Sequence, residues 1–192
     1  SAGINVARTR TIKVSKDRDL LLSERFDRTE DGKRVHFASA MSLLGLDDGA
    51  GAGTGNGYLD IVDFILQGCV NAKQNLRELY RRAAFNVMFG NTDDHFRNHG
   101  FLLTPKGWTL SPAYDINPGT KLHQCLLIDG YTEQSDINAL LSASESYMLE
   151  HHEASEIIEE VRSAIKDWQK VASQLKLSPR LLDAYSSRWD NL

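Results

Sequence analysis

The sequence predicts an α+β domain that is mostly helical. Three observations carry this reading. The first 28 residues hold two strand-like runs, Thr9–Val14 and Leu20–Phe26, around a polar turn. Residues 73–89 and most of the last third carry apolar stripes at helical spacing. Short Gly- and Pro-marked hairpin signals sit between these regions, with no internal repeat.

The composition suits that class. The chain has 192 residues, 41% hydrophobic and 25% charged, enough for one domain with a sizeable core. Disorder, collagen and a disulfide miniprotein are poor fits. Twenty-six acidic and 22 basic residues give a net charge of −4, so direct nucleic-acid binding is not expected. Cys69 and Cys125 form no CxxC and read as free thiols, which suits a cytoplasmic protein. No run approaches the ~18 apolar residues of a membrane span, and no signal peptide is visible. The chain lacks an initiator Met, so it is expected to be processed or cut from a longer one.

Taken in order, TRTIKV at 9–14 and LLLSERF at 20–26 form an expected hairpin through residues 15–19. Asp31-Gly32 marks a turn, and Phe37–Leu44 reads as a short helix stopped by Gly45. Residues 47–57, DDGAGAGTGNG, contain neither GxGxxG nor GxxxxGK[ST], so they read as a flexible connector. Tyr58–Cys69 is an expected helix. Lys73–Phe89 is another, with Leu76, Tyr80, Ala83 and Val87 on one face, Glu78 and Arg82 on the outer side, and Gly90 as the stop. Phe101–Leu103 and Trp108–Leu110 flank a Pro105-Lys106-Gly107 turn. From Ala154 to Leu175 one stripe is expected to run for about six turns. Ser178-Pro179 is expected to cap a final helix. The Glu-rich stretch 145–160 reads as a solvated helix face.

The densest polar cluster is Gly90-Asn91-Thr92-Asp93-Asp94-His95-Phe96-Arg97-Asn98-His99. It lies between a well-marked helix and an apolar strand. Asp115 follows the next strand, in Leu110-Ser111-Pro112-Ala113-Tyr114-Asp115. Phosphoryl transfer needs a carboxylate at the attacking hydroxyl and hard oxygen donors for Mg²⁺. Asp93 and Asn98 stand five apart (98 − 93), the D-x-x-x-x-N spacing of protein kinases, and Asp115 stands where a metal-binding Asp belongs. Arg97 can offset charge on the transferring phosphoryl oxygens.

These segments resemble the HipA-like serine/threonine kinases, the toxin component of bacterial toxin–antitoxin pairs. Residues 91–98 resemble the family's N-x-D-x-H-x-K-N catalytic loop, residues 110–115 its L-x-P-x-Y-D metal segment, and residues 22–28, LSERFDR, its hinge strand. The likeness runs from about Ala7 to Asp115 and more loosely through the helical C-terminus. It implies a protein-kinase-like C-terminal lobe at 29–192 and a hinge-proximal hairpin remnant of the N-terminal lobe at 1–28. By resemblance, Asp93 is the catalytic base, Asn98 and Asp115 hold Mg²⁺, and the backbone of Glu24 and Phe26 meets the adenine of ATP. His95 matches the loop His and is expected to brace the loop by hydrogen bonds. Arg97 replaces the family's Lys. The resemblance also implies a protein substrate of the aminoacyl-tRNA synthetase type and a DNA-binding antitoxin partner.

Lys13 ends a run that looks like a kinase V-A-I-K strand, but it precedes Glu24 by only eleven residues (24 − 13) and reads as an ordinary strand lysine. The family's Gly-rich phosphate loop, its ATP-binding lysine and the helix bearing that lysine's partner do not fit within 28 residues. This chain alone is therefore expected to be inactive. Two other readings compete. One is a non-catalytic pseudokinase or binding module. The other is a metal-dependent phosphoesterase using Asp93, Asp94, His95, His99 and His123.

Overall fold

The computed structural model describes residues 2–15, 18–177 and 179–192. It has two small antiparallel sheets and a larger set of helices. The expected turn residues Lys16 and Asp17 and the expected Ser178 cap lie outside the described residues.

β1 (Thr9–Ser15) and β2 (Arg18–Ser23) form the expected hairpin, with Ile12 opposite Leu20. Nearly all of it is exposed, and Lys13 forms only a surface pair with Asp19 at 3.3 Å. The run expected to be one helix at 37–44 divides in two. Phe37–Ser39 is strand β3, because Phe37 and Ala38 pair with Leu102 and Phe101. Ser39 then accepts the Ser42 N–H through its side chain and starts the short helix α1 (Ala40–Leu43).

α2 (Tyr58–Gly68) and α3 (Ala72–Phe89) follow the expected positions. Leu76, Tyr80, Ala83 and Val87 are all buried, and Gly90 ends α3 in the left-handed conformation at φ 87°. Glu78 and Arg82 are not on an outer face. The Arg82 side chain is 4% exposed, and it donates to Glu78 at 2.8 Å and to the Ser111 carbonyl at 2.8 Å. A carboxylate and a carbonyl make the burial of that guanidinium tolerable.

β4 (Gly100–Thr104) and β5 (Gly107–Leu110) complete a sheet in the order β3-β4-β5. The two-residue turn Pro105-Lys106 places Phe101 opposite Leu110. Residues 111–136 follow with little regular structure, then α4 (Ile137–Ser142).

The six-turn stripe is broken. α5 (His151–Lys166) ends at Asp167, and α6 (Trp168–Gln174) begins as a separate helix directly after it. Ala154, Ile157, Ile158, Val161 and Ile165 are buried, whereas Leu175 is exposed. The glutamates of α5 are also not purely solvated: Glu160 pairs with Arg81 at 2.6 Å and Glu153 with Arg77 at 3.5 Å. α7 (Pro179–Asp190) packs Trp189 on Phe89, with its indole N–H donating to the Phe89 carbonyl at 2.9 Å. α3 is the central helix and packs against α2, α4, α5 and α7. The polar loop 90–99 leaves its C-terminal end.

Candidate active site

The loop after α3 divides its polar residues sharply between inside and outside. Asp93 and Arg97 are exposed; Asn91, Thr92, Asp94, Asn98 and His99 are buried. Asp94 anchors the loop. One of its oxygens receives the Tyr58 hydroxyl, the Asn86 amide at 2.7 Å and the His99 ring at 2.9 Å. Asn91 adds a bond to Asn86 at 3.0 Å. Burial pushes the Asp94 carboxyl up, but His99 and the two other donors outweigh it and hold the group below its ordinary range. Burial and the Asp94 charge drive the Tyr58 hydroxyl far above its ordinary value, so it stays a donor.

This anchoring turns the neighbouring residue outward. The Asp93 carbonyl accepts from His95 N–H at 3.1 Å and from Asn98 Nδ2 at 3.1 Å. The Asn98 N–H in turn donates to the His95 carbonyl at 2.8 Å, within a short 3₁₀ turn at Phe96–Asn98. His95 therefore braces the loop through its backbone. Its Nδ1 is buried without a partner among the described residues, and the imidazole that does the bracing is that of His99.

Three contacts stitch the Asp115 segment to this loop. Ser111 N–H donates to the Gly100 carbonyl at 2.9 Å, a consequence of the β4–β5 register. The Tyr114 hydroxyl donates to the Arg97 carbonyl at 2.6 Å. Gly119 N–H donates to the Gly90 carbonyl at 2.7 Å, and any side chain at Gly119 would collide with Thr92. Asp115 lies within this stitched stretch, exposed, at φ 55°, with one oxygen accepting from Asn117 at 2.9 Å.

Asn98 and Asp115 are hard oxygen donors. Asn98 uses its amide nitrogen on the Asp93 carbonyl, which leaves the amide oxygen for a cation. One carboxylate and one amide suit Mg²⁺, which keeps several waters and takes the rest of its shell from phosphates. The five residues of the phosphoesterase reading do not make such a set. Asp94 and His99 are buried and bonded to each other, and His123 faces Glu133 at 3.6 Å. Among the described residues no three His, Cys, Asp or Glu side chains gather to hold a metal.

The expected hinge segment meets the Tyr114 end of this stitched stretch. Ser23–Asp27, Phe37 and Tyr114 line a cleft of about 260 Å³. Phe26 sits 5.7 Å from Tyr114, near-parallel, and 5.8 Å from Phe37, giving the cleft an aromatic wall for a flat ring. The Glu24 N–H is already donated to the Arg8 carbonyl at 2.8 Å, which leaves its carbonyl. Arg25 and Arg28 clamp Asp27, and the Arg25 hydrogen bond chiefly holds its carboxyl at about 2.

The Gly-rich run is not a flexible connector. Ala52 N–H donates to the Cys125 carbonyl at 2.8 Å and Tyr58 N–H to the Leu127 carbonyl at 2.9 Å. A side chain at Gly51 would stand 2.5 Å from the Cys125 carbonyl oxygen, and one at Gly57 would overlap that of Leu127. The glycines thus permit close backbone approach. Cys125 in turn brings its thiol 3.7 Å from an Asp93 carboxylate oxygen. The sequence held no signal for Tyr58, Asn86 or Cys125 as neighbours of the loop. The paired glycines of 51–53 and 55–57 were the one signal that could have suggested close backbone approach, but by composition alone they read as flexibility.

Comparison with known proteins decides the family. The HipA-like C-terminal domain matches residues 1–169. The chain belongs to that family. A Haemophilus influenzae protein with kinase in its name is 33% identical over 98 residues, 48% of this chain and 29% of the relative. The serine/threonine-protein kinase toxin HipA of Shewanella oneidensis is 30% identical over 131 residues, 59% of this chain and 30% of that protein. Among solved structures, a chain of the Shewanella oneidensis toxin–antitoxin complex of HipA, HipB and operator DNA superposes with a TM-score of 0.73 at 20% identity, covering 99% of this chain and 50% of that one. This HipA-like domain thus shares the α+β fold of that chain and spans half its length. Among the described residues no helix is long and apolar enough to cross a membrane.

Proposed function

We propose that this chain is the C-terminal catalytic portion of a HipA-like serine/threonine kinase, moving the γ-phosphoryl group of ATP to a protein hydroxyl. The observation that carries this is the meeting at Tyr114. Its ring walls the hinge cleft with Phe26, its hydroxyl holds Arg97, and its next residue is Asp115.

In this reading Asp93, exposed and held by its own carbonyl, accepts the proton of the attacking hydroxyl. Bound Mg²⁺ would neutralise phosphate charge, and Asn98 and Asp115 would hold it. Arg97 offsets charge on the phosphoryl oxygens. Glu24 and Phe26 line the adenine cleft, and His95 orders the loop. The division at residue 28 separates the hinge hairpin from a kinase-like lobe. None of the residues assigned here clamps the β- and γ-phosphates, so little or no phosphate transfer is expected of residues 1–192 alone. The Shewanella oneidensis complex of HipA, HipB and operator DNA supports a DNA-binding antitoxin as the partner, and such a partner would place the protein in the cytoplasm.

The test is transfer of labelled phosphate from ATP by the protein as its gene encodes it. Asp93→Asn, Asn98→Ala and Asp115→Asn should each abolish labelling of itself or a target, with folding unchanged by circular dichroism. Undiminished labelling by Asp93→Asn would sink the assignment. Calorimetry on residues 1–192 should show weak Mg-ATP binding or none. Sub-micromolar binding would refute the division of the site.

A further inference from the structure

Arg97 is held at both ends. Its carbonyl accepts the Tyr114 hydroxyl, and its guanidinium Nη1 donates to Asp48 Oδ1 at 2.5 Å while lying 3.4 Å from Met41 Sδ. Asp48 belongs to the Gly-rich loop, far away in sequence. That loop is fixed: Ala50 N–H closes a turn on the Asp47 carbonyl at 3.2 Å, and Ala52 N–H is bonded to Cys125.

The pair is solvent-exposed, with side chains 50% and 80% accessible, so it contributes little to stability. Its value lies in order. An arginine on a free stem samples many rotamers, and fixing it at the moment of reaction costs entropy. A carboxylate already bonded to one N–H of the guanidinium biases it towards one arrangement and lowers that cost. The fork has five N–H donors, so others remain for phosphoryl oxygens.

We propose that Asp48 is a positioning residue for Arg97, holding the guanidinium in one place on the loop that carries Asp93 and Asn98 before the phosphoryl group moves. This inference rests on the kinase reading above. Asp48 touches no substrate; it acts through Arg97. Its charge also opposes an incoming polyphosphate, so removing it should not weaken ATP binding even as turnover falls.

The experiment is a double-mutant cycle on labelled-phosphate transfer by the protein as its gene encodes it. Asp48→Asn should lower kcat about tenfold and leave KM for ATP unchanged or lower. Asp48→Glu should recover most of kcat. In an Arg97→Gln background, Asp48→Asn should have no further effect, because the partner it positions is gone. Independent, multiplying losses overturn the inference, as does a raised KM with unchanged kcat. No transfer by the wild-type protein overturns the kinase reading and this inference together. Transfer by wild type with multiplying losses overturns the inference alone.

Discussion

The Tyr114 hydroxyl donates to the Arg97 backbone carbonyl across 2.6 Å and joins two segments that the sequence separates by a strand hairpin. Burial raises the phenol to about 12, with Arg82 opposing, so it remains a proton donor at any working pH. Tyr114→Phe keeps the aromatic wall and removes only this bond. Stability should fall by about 1 kcal/mol, and, on the proposed kinase reading, phosphate transfer by the protein as its gene encodes it should fall about fivefold or more. A urea titration and a transfer assay on the same variant check the two effects.

Asp94 is a buried carboxylate whose donors would be stranded without it. Asp94→Ala should cost about 3 kcal/mol or more, since Tyr58, Asn86 and His99 lose their common acceptor. The folded carboxyl titrates below its ordinary value. Its contribution is thus present above about pH 3.9 and lost as pH falls through the folded value. Unfolding midpoints measured between pH 7 and pH 3 should drop more in wild type than in Asp94→Asn.

The Gly-rich loop offers a contrast within a few residues. Gly51→Ala and Gly57→Ala place a methyl against the Cys125 and Leu127 carbonyls, and each should cost about 2 kcal/mol. Gly53→Ala meets nothing within 4 Å and should be near neutral. Equal losses at all three positions, read from denaturation midpoints, would show that loop flexibility and not close approach is what matters.

Both cysteines should be slow nucleophiles. Burial raises Cys69 to about 11, and burial with the neighbouring Asp93 raises Cys125. At pH 8 their thiolate fractions fall below that of an ordinary cysteine. Alkylation by iodoacetamide should run slower than with a free cysteine peptide. Asp93→Asn should speed Cys125 while leaving Cys69 unchanged, as peptide mass mapping can follow.

What was legible in the sequence follows from how local each feature is. α3 and the β4–β5 hairpin were readable because their signals, a 3.6-residue stripe and a Pro-Lys-Gly turn, lie within the segments themselves. The split of residues 37–44 was not, since Phe37 becomes a strand only by pairing with Leu102, far along the chain. The break at Asp167 was hidden because the apolar stripe continues across it. At the site, the D-x-x-x-x-N spacing and Asp115 were visible as letters. The inward turn of Asp94 was not, because Tyr58 and Asn86 reach it from two different helices. Glu78 and Arg82 were misplaced for a related reason: i,i+4 spacing pairs two charges but does not say which way the pair faces.

The left-handed backbone at Asp115 carries a consequence of its own. A non-glycine residue at φ 55° holds its conformation at a cost of about 1–2 kcal/mol. Asp115→Gly should therefore yield a protein more stable by a few tenths to about 1 kcal/mol and, on the proposed kinase reading, one that binds Mg²⁺ more weakly. On the proposed kinase reading, this aspartate is a position where folding efficiency is traded for chemistry.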